Sequence, residues 1–136
     1  MIFNKIILPV IFIFLSANHF EIVSSKKETY RSGRREGGKG ANYYISIVSN
    51  KSSKHLTFDK LIVQGKSLKV SIESVNGHEN KRAFQKKDAV ILQSSVFVKD
   101  EEFNSGEETI ILEYTYKKKL LKREIMVNDI VQKKTE

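Results

Sequence analysis

Residues 109–127 read TIILEYTYKKKLLKREIMV, and this stretch decides the fold class. Its first half carries aliphatic and aromatic side chains at every second position, which is the side-chain period of a β-strand: Ile110, Leu112, Tyr114 and Tyr116. The basic turn Lys117–Lys119 then reverses the chain into a second alternating run: Leu121, Arg123, Ile125 and Val127. The stretch therefore predicts an antiparallel hairpin that buries one face.

Short runs of the same kind continue upstream as far as residue 43, separated by polar clusters at intervals of about ten residues. Two of the intervening turns contain Gly65 and Gly77, since glycine readily adopts the positive φ of tight hairpin turns. Beyond the first 25 residues no segment shows the period of an amphipathic helix, and the sole proline is Pro9. We therefore predict an all-β domain of six or seven strands.

This number of strands favours two antiparallel sheets packed as an immunoglobulin-like sandwich, with a small closed β-barrel as the alternative. We expect the domain to span residues 43–131 and to be followed by a polar tail at 132–136. The chain has no cysteine, which excludes a disulfide framework and thiolate metal sites. Burial alone must therefore hold the domain together.

The first 25 residues have the pattern of a secretory signal peptide. Lys5 precedes an apolar run from Ile6 to Leu15, which is shorter than the roughly 20 residues that a membrane-spanning helix needs. Small residues suited to cleavage lie between Ala17 and Ser25. We expect an exported, periplasmic or extracellular protein without a transmembrane segment after processing; the alternative is a retained N-terminal anchor. The Lys-, Asn- and Ile-rich composition points to a bacterial source.

Residues 26–42 are basic, contain four glycines and offer almost nothing apolar to bury, so they are predicted to form a flexible arm. The spacing from Gly33 to Lys39 matches part of a phosphate-binding loop. Gly40 stands where that loop needs a Ser or Thr hydroxyl for magnesium, so no nucleotide or other cofactor site is predicted.

The net charge of +8 indicates that polyanions are one candidate class of ligand. The candidate binding residues lie in the arm and in the last hairpin turn: Arg31, Arg34, Arg35, Lys39, Lys117, Lys118 and Lys119. The competing interpretation is that these charges keep solvent faces and sheet edges soluble.

Carboxylates cluster in residues 100–108, just before the hairpin of residues 109–127, and calcium binds oxygen ligands of this kind. The weak calcium candidates are Asp100, Glu102, Asn104 and Glu107. His55 and His78 have no partner at metal-ligand spacing, and no nucleophile motif is visible.

The sequence therefore favours a non-catalytic module that contacts a protein or a component of the cell envelope. The alternative is an electrostatic binder of anionic glycan, lipid or nucleic acid through the arm and the hairpin tip.

Overall fold

The computed structural model describes residues 19–31, 39–98, 108–127 and 129–133. These residues form nine β-strands and no α-helix, which confirms the all-β prediction, although six or seven strands was too few. The strands are β1 (Phe20–Arg31), β2 (Lys39–Ser49), β3 (Leu56–Val63), β4 (Lys66–Lys69), β5 (Ser71–Val75), β6 (Ala89–Val98), β7 (Thr109–Tyr116), β8 (Lys119–Met126) and β9 (Asp129–Lys133). Within these ranges no helix is long and apolar enough to span a bilayer.

The strands form two sheets. The first sheet has the order β5-β6-β2-β1-β9, and the second has the order β4-β3-β7-β8. All neighbouring pairs are antiparallel except β1 and β9, which run parallel with Lys26 opposite Asp129. Each sheet therefore contains four antiparallel strands, and β9 adds a fifth strand to one edge of the first sheet.

The chain changes sheets at Val70, which lies between β4 and β5. The Val70 amide donates to the Asp59 carbonyl oxygen of the second sheet at 3.4 Å. The Ser94 hydroxyl of the first sheet donates to the Lys69 carbonyl oxygen at 2.9 Å. In the described residues the hydrogen-bond ladders of the two sheets remain separate, so the molecule is a two-sheet sandwich and the closed-barrel alternative is wrong.

The core lies between the sheets and is centred on aromatic side chains. Phe20 packs edge-on against Phe58 and Tyr114, with ring centroids 5.4 and 5.0 Å apart. Phe84, from the segment between β5 and β6, also packs against Phe58. Aliphatic side chains from both sheets fill the rest of the interior: Ile45, Ile47, Leu56, Leu61, Val75, Val90, Leu92, Ile110, Leu112 and Ile125.

The domain begins at β1 rather than at residue 43. Phe20 is fully buried, the Asn50 amide donates to the His19 carbonyl oxygen at 2.9 Å, and Arg123 Nη1 donates to the Phe20 carbonyl oxygen at 2.9 Å. Cleavage after Ser25 would remove this part of the core, whereas cleavage after Ala17 would leave β1 complete.

The predicted flexible arm at 26–42 is wrong for residues 26–31 and 39–42, which belong to β1 and β2. The ring of Tyr30 occupies the space that a Cβ at Gly40 would take, so this glycine accommodates close packing within the sheet. Residues 32–38 lie outside the described part of the chain. The expected domain end and polar tail also change, because β9 extends to Lys133.

Candidate functional site

The turn between β7 and β8 carries two of the predicted binding residues. Lys117 and Lys118 both have positive φ, 49° and 68°, as the two central residues of a tight hairpin turn. Lys119 begins β8 and pairs with Tyr116. All three lysines are exposed, so the turn presents a row of ammonium groups to solvent.

This turn lies beside the segment that precedes β3. The Lys117 amide donates to the His55 carbonyl oxygen at 3.0 Å. Thr57 of β3 pairs with Thr115 of β7, which follows from the register of the two strands. The pairing brings two segments together that are about sixty residues apart in sequence.

An open cavity of about 470 Å³ lies between the two segments. This basic pocket is lined by Lys54, His55, Thr57, Thr115, Lys117 and Lys118. Its volume falls in the range of small-ligand sites, roughly 300–1,000 Å³.

The lining of the basic pocket contains three lysines and no carboxylate. Asp59 lies nearby, and its carboxylate accepts a hydrogen bond from the Thr115 hydroxyl at 2.6 Å. Tyr116 and Lys51 lie just outside the lining, and the ammonium groups of Lys51 and of the lining residue Lys117 are 5.7 and 5.5 Å from the centroid of the Tyr116 ring. The pocket and its rim therefore attract anions.

The structure does not unite the two predicted groups of basic residues. Arg31 pairs with Lys39 at one end of the β1–β2 hairpin, whereas Phe20 pairs with Ser49 at the other end, next to Lys51. The β7–β8 turn belongs to this second end. Arg34 and Arg35 lie outside the described residues, as do the side chains of Arg31 and Lys39. Of the predicted binding residues that the structure describes, Lys117 and Lys118 line the basic pocket and Lys119 lies next to them in sequence.

The calcium candidates Asp100, Glu102, Asn104 and Glu107 all lie outside the described residues. Within the described ranges, no three His, Cys, Asp or Glu side chains group closely enough to hold a metal ion. His78 forms an isolated bridge with Val75, and His55 lines the basic pocket.

Sequence reasoning missed Lys51, Lys54 and His55 as parts of this site. The segment from Lys51 to His55 has the polar composition of an ordinary turn. Its proximity to Lys117 follows from the pairing of β3 with β7, which no local pattern reveals. The charged turns are evenly spaced along the sequence, so the sequence does not indicate which of them lie next to each other in the fold.

A second polar group, absent from the sequence predictions, lies inside the sandwich. Lys27 Nζ is 2.6 Å from Glu108 Oε2, and the Tyr43 hydroxyl donates to Glu108 Oε1 at 2.6 Å. The side chains of Lys27 and Glu108 are 0% and 5% exposed. Burial, the hydrogen bond to Glu108 and the negative charge of Glu108 all raise the pKa of Tyr43 far above its usual value, so its phenol remains a donor.

Comparison of the chain with protein families, with curated proteins and with solved structures finds no match. Within the described residues, the basic pocket and the buried group of Lys27, Tyr43 and Glu108 are the two candidate functional features.

Proposed function

We propose that the protein is an exported, non-catalytic binding module that contacts an anionic polymer of the cell envelope through the basic pocket. The observation that carries this proposal is the pocket lining, which contains Lys54, Lys117 and Lys118 and no carboxylate. The lining also contains Thr57, whose hydroxyl group is suited to sulfate, phosphate or carboxylate oxygens, whereas the Thr115 hydroxyl donates to Asp59.

Magnitudes favour a polymer over a single small anion. An exposed ion pair contributes about 1 kcal/mol at most, so three lysines supply about 3 kcal/mol. A dissociation constant of 1 mM already requires about 4 kcal/mol. A polyanion that also reaches Lys51 and Lys119 gains further contacts from one molecule, because each later contact is intramolecular.

We further propose that the sandwich is of the immunoglobulin-like type, and the strand order supports this. The antiparallel strands β1-β2-β6-β5 correspond to A-B-E-D of the immunoglobulin fold, and β8-β7-β3-β4 correspond to G-F-C-C′. The basic pocket then lies between the B–C and F–G connections. In antibody variable domains these connections are two of the loops that contact antigen.

Export to the periplasm or the cell exterior belongs to the same proposal. It is supported by the signal-like pattern of the first 25 residues and by the position of β1. Cleavage after Ala17 leaves every buried residue of β1 in the domain. The polymer would then be encountered outside the cytoplasm.

Retention on immobilised heparin, a sulfated glycan, tests the proposal. The double variant Lys117→Asn/Lys118→Gly keeps a favourable turn while removing two charges from the pocket. The control Lys60→Gln/Lys69→Gln removes two exposed charges from a cross-strand pair of β3 and β4. We expect the wild type and the control to remain bound at about 0.15 M salt and the turn variant to elute. Equal loss of retention in both variants would show that net charge alone drives binding.

A further inference from the structure

The ion pair of Lys27 and Glu108 has an unusual position. Lys27 lies on β1 of the first sheet, directly opposite Tyr43 of β2. Glu108 precedes β7 of the second sheet, and its carbonyl oxygen accepts a hydrogen bond from the Val127 amide at 2.8 Å. The side-chain pair therefore bridges the two sheets inside the sandwich.

Charges in this position are costly. Each buried ion loses hydration worth several kcal/mol, and the attraction of the pair offsets this only with good geometry and additional hydrogen bonds. Transfer of a proton from the ammonium to the carboxylate removes both charges. Such a transfer would leave a neutral amine next to a carboxylic acid, and Lys27 Nζ lies 2.6 Å from Glu108 Oε2. A neutral amine is a nucleophile, and a protonated carboxyl group is a better electrophile than a carboxylate.

We propose that Lys27 and Glu108 become joined by an amide bond between Nζ and Cδ after the domain has folded. The Lys27 amine attacks the Glu108 carboxyl carbon, the new C–N bond forms, and the C–O bond to Oε2 breaks. Oε2 leaves as water with two protons that both originate from the ammonium: one transferred to the carboxyl group before the attack and one lost by the nitrogen after it. The balance is one ammonium and one carboxylate giving one amide and one water, with no other reactant.

Tyr43 is placed to assist this step. Its hydroxyl donates to Oε1, the oxygen that carries negative charge when the amine adds to the carbon. A fixed donor at that oxygen stabilises the tetrahedral intermediate. The high pKa of Tyr43 keeps the donor protonated throughout the neutral pH range. The buried site also holds the amine and the carboxyl group in contact, which replaces a bimolecular encounter by an intramolecular one.

The consequence is a covalent link between the two sheets in a chain without cysteine. Residues 27 and 108 are 81 positions apart, so the bond closes a large loop that includes β2 to β6. Closing a loop of this length restricts the unfolded chain, as a disulfide does. The inference is independent of the basic pocket, which lies at the other end of β1.

Mass spectrometry tests the bond directly. The full chain is purified, its N-terminus is read from its peptides, and its intact mass is compared with the sequence mass from that residue onward. We expect a deficit of one water molecule. Trypsin cannot cleave after an acylated lysine, so digestion should give residues 27–31 linked to residues 100–117. The pair of Lys122, which is exposed, and Glu113, which is partly buried, at 3.6 Å, is the internal control and should give no linked peptide.

Three variants separate the bond from an ordinary ion pair. Lys27→Arg keeps the positive charge and Glu108→Ala removes the acyl group, and both should show the full sequence mass. Tyr43→Phe keeps the ring, and the linked fraction after a fixed time should fall several-fold. A wild-type chain of full sequence mass would overturn the proposal. A deficit of one ammonia molecule would also overturn it, because the acyl group would then come from the carboxamide of an Asn or Gln side chain.

Discussion

The Lys117 amide donates to the His55 carbonyl oxygen at 3.0 Å, and this bond joins the β7–β8 turn to the segment before β3. Neither residue is buried, so the bond owes its position to the pairing of β3 with β7. Lys54 and Lys117 both line the cavity between these two segments. The pairing of the strands therefore determines where the charged residues of the pocket lie, while their side chains remain exposed to solvent.

The β7–β8 turn can be made more stable while its charge is removed. Positive φ costs a non-glycine residue about 1–2 kcal/mol relative to its preferred conformations, and Asn-Gly is the favoured pair for this turn. Lys117→Asn/Lys118→Gly should raise the free energy of unfolding by about 1 kcal/mol, measured by urea denaturation. A decrease in stability would show that the two lysines contribute to the native fold.

β1 is required for folding. Phe20→Ala leaves a cavity among Phe58 and Tyr114 and should lower the free energy of unfolding by about 3–5 kcal/mol. A chain that starts at residue 18 should melt cooperatively, whereas one that starts at residue 26 should not. Circular dichroism checks both truncations, and cooperative melting of the shorter chain would contradict the assignment of β1 to the core.

Asp88 makes stability dependent on acid. The backbone amide of Gln85 donates to its carboxylate at 2.8 Å and Asn76 donates at 3.0 Å, and these bonds lower the pKa of Asp88 in the folded state. The stabilisation is complete above the unfolded value of about 4 and is lost as pH falls through the lower folded value. Asp88→Asn should therefore flatten the decline of the melting temperature below about pH 4. An unchanged decline would exclude this carboxylate as the cause.

Tyr43 makes stability dependent on alkali. Its pKa is raised in the folded state, so the stabilisation is complete below the unfolded value of about 10. It is lost as pH rises from there towards the folded value, because only the unfolded chain ionises first. The wild type should lose melting temperature above about pH 10 more steeply than Tyr43→Phe. Equal slopes in the two proteins would contradict the burial of this phenol.

The hairpin of residues 109–127 could be predicted because its pattern is complete within the segment. Ile110 pairs with Ile125 and Tyr114 with Leu121, so the alternating positions of both strands share one face. The prediction of two packed sheets rests on the same kind of local alternation in the other strands. Nothing comparable marks the division of residues 66–75 at Val70, since the alternation continues through it.

β1 could not be predicted because polar residues take its inward positions. Ser25 and Lys27 are both buried, where an alternating strand normally carries apolar side chains. The Ser25 hydroxyl donates to the Met126 carbonyl oxygen at 2.6 Å, and Lys27 pairs with Glu108. Met126 lies 101 positions from Ser25, and Glu108 lies 81 positions from Lys27. A local window of the sequence therefore shows only a basic, polar segment.

The lining of the basic pocket could be predicted only in part, because it also joins residues that are distant in sequence. Lys117 and Lys118 stand out as a run of like charges, whereas Lys54 and His55 become part of the site through a long-range strand pairing. Arg31 and Lys39 were also candidates, but they pair at the opposite end of the β1–β2 hairpin, away from the pocket. Charges that look equivalent in the sequence are separated by the length of a strand.

Nuclear magnetic resonance of the isotope-labelled protein tests the basic pocket most directly. A heparin-derived oligosaccharide is titrated at about 0.15 M salt, where surface attractions beyond about 8 Å are screened. We predict saturable shifts in the backbone signals of Lys54, His55, Lys117 and Lys118, with little change at the exposed lysines of β4. Shifts spread evenly over all exposed lysines, or none at this salt concentration, would contradict a binding site in the basic pocket.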